Sequence, residues 1–530
     1  MIVSITLHEN EVRSEGYREC AAAGGFAAVC RAGLSRFFDG TVRVAGLTGA
    51  EAGTYTAAFR SISADMSARS RVAAVYLLGF AIDLACMFML NAAYPALQRE
   101  LHASVAQLAW VGNTYVLGLT VVIPLGAWLA RRFGERRVLT ASLLLFGFAS
   151  LGVARAASIG ALLAWRLAQG LGGGLLIPVG QALAYRAYPP DARAHLTSVV
   201  MMVALLVPAL SPAVGGLIVD RISWRAIFVG MLPLAVATCG LAFAWLPPDR
   251  AGTRPAPLDW PGLGLSAAAL VALLLGLTFA GQPGAGRLAL AMLAAAGAAG
   301  LGYVAHARRA AAPLLDLRLL AQPLLRAGVV VYLCVPGVFA GVNLVAALYL
   351  QNELGLSAAH AGALMLPWAI ASCCAIATTR RGFARWGARP LFACGIAVDC
   401  VGIALLATPL AALEAGRVAA FAAMGFGASL CTSTAQSAAF IDVPADRMGD
   451  ASALWNLNRQ LSFCVGVAVL GSAFNGLSSL ATGGAALLPY RQSFVLAALL
   501  TLMPLPLIAQ LAPRGAGDGD GDAQPVSQRS

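Results

Sequence analysis

The sequence contains no lysine, so all 36 basic residues among its 530 are arginines. Charge of either sign is scarce, at 11% of residues, against roughly 25% in a soluble domain. With 59% hydrophobic residues, too few polar groups remain to cover a soluble core. A net charge of +12 commonly points to nucleic acid. Here the arginines lie in short segments between apolar runs, which fits membrane topology and implies no nucleic-acid partner. Histidine is rare: His8, His102, His195, His306 and His360 show no Ser/His/Asp, Cys/His or metal-ligand spacing. Nine of the eleven cysteines fall within apolar runs or at their ends, where cysteine serves as a small hydrophobe. There is no CxxC pair, and neither a disulfide framework nor a metal site is expected. No GxxxxGK[ST] loop is present, so ATP is not the expected energy source. These absences argue against an enzyme and a bound cofactor. The lysine-free, Ala- and Gly-rich composition suggests a GC-rich bacterial genome.

What is present is a series of fourteen apolar runs near the roughly 20 residues a spanning helix needs. They cover about 72–95, 106–130, 138–157, 160–183, 196–219, 225–246, 262–281, 287–306, 327–350, 361–379, 390–410, 417–438, 454–475 and 492–512. The fold class is therefore an all-α polytopic membrane protein. Residues 1–70 hold scattered charges and no spanning run, without a signal-peptide layout. They read as a disordered N-terminal extension or a start codon assigned upstream of Met66. The last stretch, 513–530, reads as a disordered tail.

Arginine placement orients the runs. With the N-terminus inside, the inner segments carry Arg131, Arg132, Arg136, Arg137, Arg186, Arg193, Arg250, Arg254, Arg308, Arg309, Arg318, Arg326, Arg380, Arg381, Arg385, Arg389, Arg447 and Arg459. The outer segments carry only Arg99, Arg155, Arg221, Arg225, Arg287, Arg417 and Arg491. Eighteen against seven places both termini in the cytoplasm.

An internal repeat is visible. ARRFGERRV (130–138) and ARWGARPL (384–391) each put an aromatic-Gly pair among arginines in an inner loop. The offset implies two six-helix halves, 71–246 and 311–512, with two inserted helices in 247–310. Related halves around a midplane cavity are the architecture of alternating access.

Within the first run stands one acid, Asp83. A carboxylate at that depth costs several kcal/mol unless protonated, paired or facing a wet cavity. A helix that only anchors has no use for it, so Asp83 is the candidate proton carrier. Arg166, inside the fourth run, cannot shed its proton and also needs an acid or a cavity. The two are expected to pair, which would stabilise the carboxylate's charge. A structural pairing is the bland alternative. Asp399, mid-run in GIAVDCVG (395–402), is a second candidate proton or cation site, or a structural hydrogen-bonding group.

Several segments resemble the major facilitator superfamily, in particular its fourteen-spanner drug:proton antiporters. Asp83 with LNAAYPAL (90–97) is similar to the family's first-helix pattern of Asp followed by VNVALP. PLGAWLARRFGERR (124–137) resembles the signature inner loop, carried by Gly126, Arg131, Arg132, Gly134, Arg136 and Arg137. Two positions depart from it: Ala127 takes the usual Gly slot and Arg131 the usual Asp slot. In the family that Asp makes a charge contact thought to hold one conformation, so the latch is in doubt. WRLAQGLGGG (165–174) resembles the fourth-helix RxxQGxGgg pattern, with Gln169 and Gly170 beside Arg166. VPALSPAVGG (207–216) resembles the antiporter motif of exporters. Pro208 and Pro212 should bend that helix and Gly215 and Gly216 pack it closely, sealing the outer side against proton leak. Weaker matches are Ser223–Phe228, Leu258–Gly262, Pro313–Arg318, Tyr349–Gln351 with Gly355 and Gly362–Pro367, and Asn458–Gln460.

The resemblance implies a major facilitator fold of fourteen transmembrane helices. It also implies proton-coupled export of small amphipathic compounds, most often drugs, across a bacterial inner membrane. The proton gradient would be the energy source, with protons and substrate competing at Asp83. Some relatives use a periplasmic adaptor and an outer-membrane channel. Asn113, Tyr115, Asn343, Gln351, Trp368 and Gln436 are candidate cavity-lining residues, since polar and aromatic groups on an apolar wall suit amphipathic ligands. Alternatives are export of a dedicated metabolite, siderophore or amino acid; uptake; and, remotely, a membrane receptor or membrane enzyme.

Overall fold

The computed structural model describes residues 67–103, 105–249, 257–280, 284–356, 358–480 and 487–511. The expected extension up to residue 66, the tail from 512 and the loop arginines Arg250 and Arg254 lie outside the described residues. Every regular element described is helical. This follows from the apolar runs: in hydrocarbon a backbone must satisfy its own hydrogen bonds, and a helix does so within one segment.

The first six expected runs become α1 (Ala68–Leu101), α2 (Val105–Val122) with α3 (Leu125–Phe133), α4 (Glu135–Ala154), α5 (Ile159–Ala187), α6 (Pro190–Arg221) and α7 (Trp224–Trp245). Next come α8 (Trp260–Ala280) and α9 (Gly286–Arg309). The rest are α10 (Pro323–Cys334) with α11 (Pro336–Leu348), α12 (Ala358–Ala363) with α13 (Met365–Trp386), α14 (Ala388–Ala407), α15 (Glu414–Ile441), α16 (Met448–Leu480), and α17 (Leu488–Leu502) with α18 (Leu505–Ala509). α1 to α7 pack mainly on one another, as do α10 to α18. α8 and α9 pair with each other and lie beside α2 through Asn113 to Thr278 at 3.3 Å and Trp110 on Phe279.

Three breaks inside runs coincide with prolines, which lack the N–H and disfavour helix at the preceding residue. Pro124 separates α2 from α3 with a bend of 56°. Val335 ends the helix before Pro336, and Met503 before Pro504. α6 behaves otherwise: it is one continuous helix through Pro208 and Pro212.

Twelve described helices are long and apolar enough to cross a membrane, or thirteen with the bent α2–α3 pair taken as one span. The expected tenth span is the exception. Its helix α13 holds Arg380, Arg381 and Arg385, so the apolar part ends at Thr379. A second difference concerns Arg459, counted above among inner-loop arginines. It lies within α16, because that helix starts at Met448, before the apolar run itself.

The internal repeat has a backbone counterpart. Gly134, between α3 and α4, has φ +94°, and Gly387, between α13 and α14, has φ +74°. Both turns need glycine, since this region strains other residues. The largest apolar core lies at this same end, where Tyr76, Leu183 and Tyr185 of the first bundle meet Phe440 and Trp455 of the second.

Candidate functional site

The fourth-run glycines build the site. On α5, a Cβ at Gly170 would meet the backbone of Tyr115 in α2, and one at Gly174 the backbone of Leu119. Small residues here let α2 and α5 approach backbone to backbone. That approach carries Tyr115 onto Asp83 of α1. A Cβ at Gly173 would stand 2.8 Å from Asp83 Oδ1 and 2.9 Å from the Tyr115 hydroxyl. Asp83 is 2% exposed, and Tyr115, fully buried, donates a short hydrogen bond to Asp83 Oδ1.

Arg166 is close by but is not the acid's ion-pair partner, contrary to expectation. Its Nε donates to Val111 O at 3.2 Å, and its Nη1 to Gln169 Oε1 at 2.7 Å and to Cys86 Sγ at 3.3 Å. Gln169 in turn donates to Ser150 at 2.7 Å. The guanidinium lies over the Tyr115 ring at 4.3 Å. The tyrosine therefore stands between acid and base, bonding one with its hydroxyl and the other with its ring face. The Arg166 acceptors come from α1, α2 and α5, and none of them is a carboxylate.

Asp399 is also wholly buried, on α14, but both carboxyl oxygens lack a hydrogen-bond partner. The expected structural hydrogen-bonding role does not appear. Gly427 of α15 packs on its backbone: a Cβ there would lie 2.7 Å from Asp399 Cα.

The signature loop lies at the end where the bundles are bonded together. Both departures from the pattern meet the first turn of α16. Ala127 faces Gly449, where an added Cβ would reach its methyl at 3.6 Å, and Arg131 Nη1 bonds Asp450 Oδ1 at 2.7 Å. The larger residue thus faces a glycine and the reversed charge faces an acid. Arg193 of α6 adds a clamp: it donates to Tyr185 O at 3.2 Å and Tyr188 O at 3.3 Å on α5, and to Phe440 O at 2.6 Å and Ile441 O at 3.2 Å on α15. Carbonyls at two helix C-termini converge on one cation, where the dipoles favour positive charge. Gln181 accepts from Ser452 at 2.9 Å and Asn456 at 2.5 Å, and Gln436 donates to the Tyr185 hydroxyl at 3.0 Å.

The remaining signature residues hold the loop itself. Asp249 accepts the backbone N–H groups of Arg136 at 3.0 Å and Arg137 at 3.2 Å, and its side chain fills the space a Cβ on Gly134 would need. Arg136 stacks on Phe243 at 3.8 Å, Arg132 lies over Phe133 at 5.9 Å, and Gly126 packs on Leu175 and Val179. In α6, a Cβ at Gly215 would stand 3.0 Å from the Met89 carbonyl oxygen, whereas one at Gly216 would meet nothing within 4 Å, so only one of the two expected packing glycines is used.

The candidate cavity residues do not share one wall. Tyr115 belongs to the acid's own network and Gln436 to the bonded end. Asn113 turns to Thr278, and Gln351 is exposed. Asn343 is half-buried. Trp368 stacks on Phe339 at 5.6 Å with its Nε1 buried and unpartnered. Arg193, Gln181 and Asp450 carry no flag in the sequence beyond charge or polarity near a run's end. Among the described residues, no three His, Cys, Asp or Glu side chains are placed to hold a metal ion.

Comparison with known proteins places this arrangement. The sequence profile of the Major Facilitator Superfamily matches residues 76–467. The chain is 31% identical over 389 residues to the drug efflux pump JefA of Mycobacterium tuberculosis, covering 72% of this chain and 76% of that one. It is 31% identical over 410 residues to a probable actinorhodin transporter of Streptomyces coelicolor, covering 75% and 71%. Among solved structures, the human organic anion transporter MFSD10 superposes with a TM-score of 0.63 at 18% identity, covering 84% of this chain and all of that one. That likeness speaks for the fold alone. A match over most of the chain in sequence, and a shared fold, make this protein a transporter of the major facilitator superfamily.

Proposed function

We propose that this transporter exports small amphipathic compounds, drugs among them, in exchange for protons. It would work by alternating access between halves 71–246 and 311–512, driven by the proton gradient without a cofactor. The observation that carries the proposal is the buried Asp83 carboxyl, bonded by Tyr115 and one ring away from Arg166. Asp83 takes a proton from the outer side and releases it to the inner side. Arg166, enclosed by fixed acceptors, supplies a permanent field at that step. Asp399 has no partner for a proton handover, so the coupling is placed on Asp83 alone.

The arginine distribution supports a cytoplasmic position for both termini and for the bonded end, in a bacterial inner membrane. The Arg131–Asp450 pair, the Arg193 clamp and Gln181 then form the inner gate, closed in this conformation. α13 is read as the span completing a count of fourteen, its arginines reaching the inner surface, with α8 and α9 as the inserted pair. The similarity to JefA supports drug export. The similarity to a probable actinorhodin transporter favours a second reading, export of one dedicated metabolite.

Flux in proteoliposomes under an imposed pH gradient tests the proposal. Accumulation abolished by an uncoupler is expected. Transport unchanged by the uncoupler and by Asp83→Asn would sink the proton-exchange reading.

A further inference from the structure

Among the described residues two arginines, Arg166 and Arg459, lie deep within spanning helices, and their surroundings differ. Arg166 is fully enclosed, with a backbone carbonyl, an amide oxygen and a sulfur as acceptors for its Nε and Nη1, and only its Nη2 unpartnered. Arg459 has none of these. It stands eleven residues into α16, about 16 Å along the helix axis. Its guanidinium lies over the ring of Phe80 on α1 at 5.3 Å, and Phe80 stacks on Tyr76 at 6.0 Å. Tyr332 of α10 stands edge-on to Trp455, one helical turn before Arg459, at 5.1 Å. Phe80, Tyr76 and Tyr332 are all buried, so this charge faces the interior where α1 and α16 meet.

Among the described residues Arg459 forms no hydrogen bond and no ion pair, and its Nε is buried without a partner. The residue as a whole is still partly exposed, so its outer nitrogens remain reachable. A guanidinium does not shed its proton. One ring contact contributes about 0.5–2 kcal/mol, which does not offset the several kcal/mol that charge at this depth costs. The missing element is an anion. Asp83 does not supply it: that carboxylate accepts from Tyr115, and among the described residues no ion pair joins it to Arg459. A lipophilic cation finds no free acid here and is repelled by Arg459.

We propose that Arg459 is the anion-recognition point of the substrate path. Its substrates carry a carboxylate, sulfonate or phenolate on an apolar aromatic body. The anion takes the guanidinium fork, a geometry suited to two parallel hydrogen bonds, and the aromatic body rests among Phe80, Tyr76 and Tyr332. This inference rests on the efflux reading and narrows its substrate class.

The test uses the full chain in proteoliposomes with two fluorescent probes, anionic carboxyfluorescein and cationic ethidium. Wild type is expected to move carboxyfluorescein well above empty vesicles and ethidium no faster than them. Arg459→Gln should lower carboxyfluorescein flux about tenfold or more, the worth of one charge-assisted contact. Arg459→Lys keeps the charge without the fork and should fall between the two. If the Gln variant does not yield monodisperse protein, the Lys variant carries the comparison. Ethidium export without carboxyfluorescein export overturns this inference and leaves efflux standing. So does undiminished carboxyfluorescein flux in both Arg459 variants. Movement of neither probe by the wild type overturns the efflux reading, and this inference with it.

Discussion

Two acids lie wholly inside the helical bundle, Asp83 in the first half and Asp399 in the second, and their surroundings differ in kind. Asp83 has a hydroxyl donor, a nearby guanidinium behind that donor's ring, and a second guanidinium, that of Arg459, over Phe80 on the same helix. Asp399 has close helix packing on its backbone and nothing on its oxygens. Burial is common to both, so it does not by itself single out the proposed coupling site. What separates the two is a polar network whose members can register a change of charge, and only Asp83 has one.

The comparison is easiest to break at its strong end. Asp83→Asn keeps the shape and removes the titrating group. Uncoupler-sensitive flux should fall by about 100-fold or more, the scale on which a positioned proton-transfer group acts. Gly173→Ala should come next. Its methyl would enter the space between Asp83 and Tyr115, and overpacking of this kind costs about 1–3 kcal/mol. A drop in thermal stability together with a loss of coupled flux is expected. Tyr115→Phe deletes only the hydroxyl; one buried hydrogen bond is worth about 1 kcal/mol, so flux should fall roughly fivefold. An effect of Tyr115→Phe as large as that of Asp83→Asn would make the tyrosine a proton relay in its own right.

At the weak end, Asp399→Asn should leave uncoupler-sensitive flux within about twofold of wild type, as expected of a site with no coupled partner. A loss approaching that of Asp83→Asn would erase the distinction. Glu100 gives a control outside the membrane-spanning segment. Trp224 donates to it at 2.5 Å and Arg225 pairs with it, and these hydrogen bonds hold its carboxyl below the usual glutamate value of 4.5. With the folded-state value lowered, the stabilisation is present above pH 4.5 and is lost as pH falls through the folded-state value. Glu100→Gln should therefore lower the melting temperature slightly at neutral pH, by less than about 1 kcal/mol for so exposed a pair. The difference should vanish in acid.

Much of this arrangement is legible in the order of residues along the chain. The length of the apolar runs positions the helices, and prolines such as Pro124 and Pro336 place the breaks. Asp83 and Arg166 stand out because charge is expensive where they are. The pairing between them is misread, because sequence spacing does not reveal that Tyr115 from a third helix stands between the two. The proposed inner gate is half visible. Arg131 in the acid's slot looks like a lost latch until Asp450, more than 300 residues away, is brought opposite it. Ala127 against Gly449 is the same kind of compensation, and neither can be seen in one segment alone. Arg459 is misplaced for a simpler reason. It falls near the start of the run 454–475 and so is grouped with the inner-loop arginines, but α16 starts at Met448 and carries it well inside the helix.

The central claim is that Asp83 carries the proton that substrate export consumes. Its most direct measurement is substrate-driven proton movement, read with a pH-sensitive dye trapped in proteoliposomes, for wild type and Asp83→Asn. Adding substrate to wild type should drive protons in the direction opposite to the substrate, and Asp83→Asn should show none above empty vesicles. Equal proton movement in the two proteins would contradict the claim.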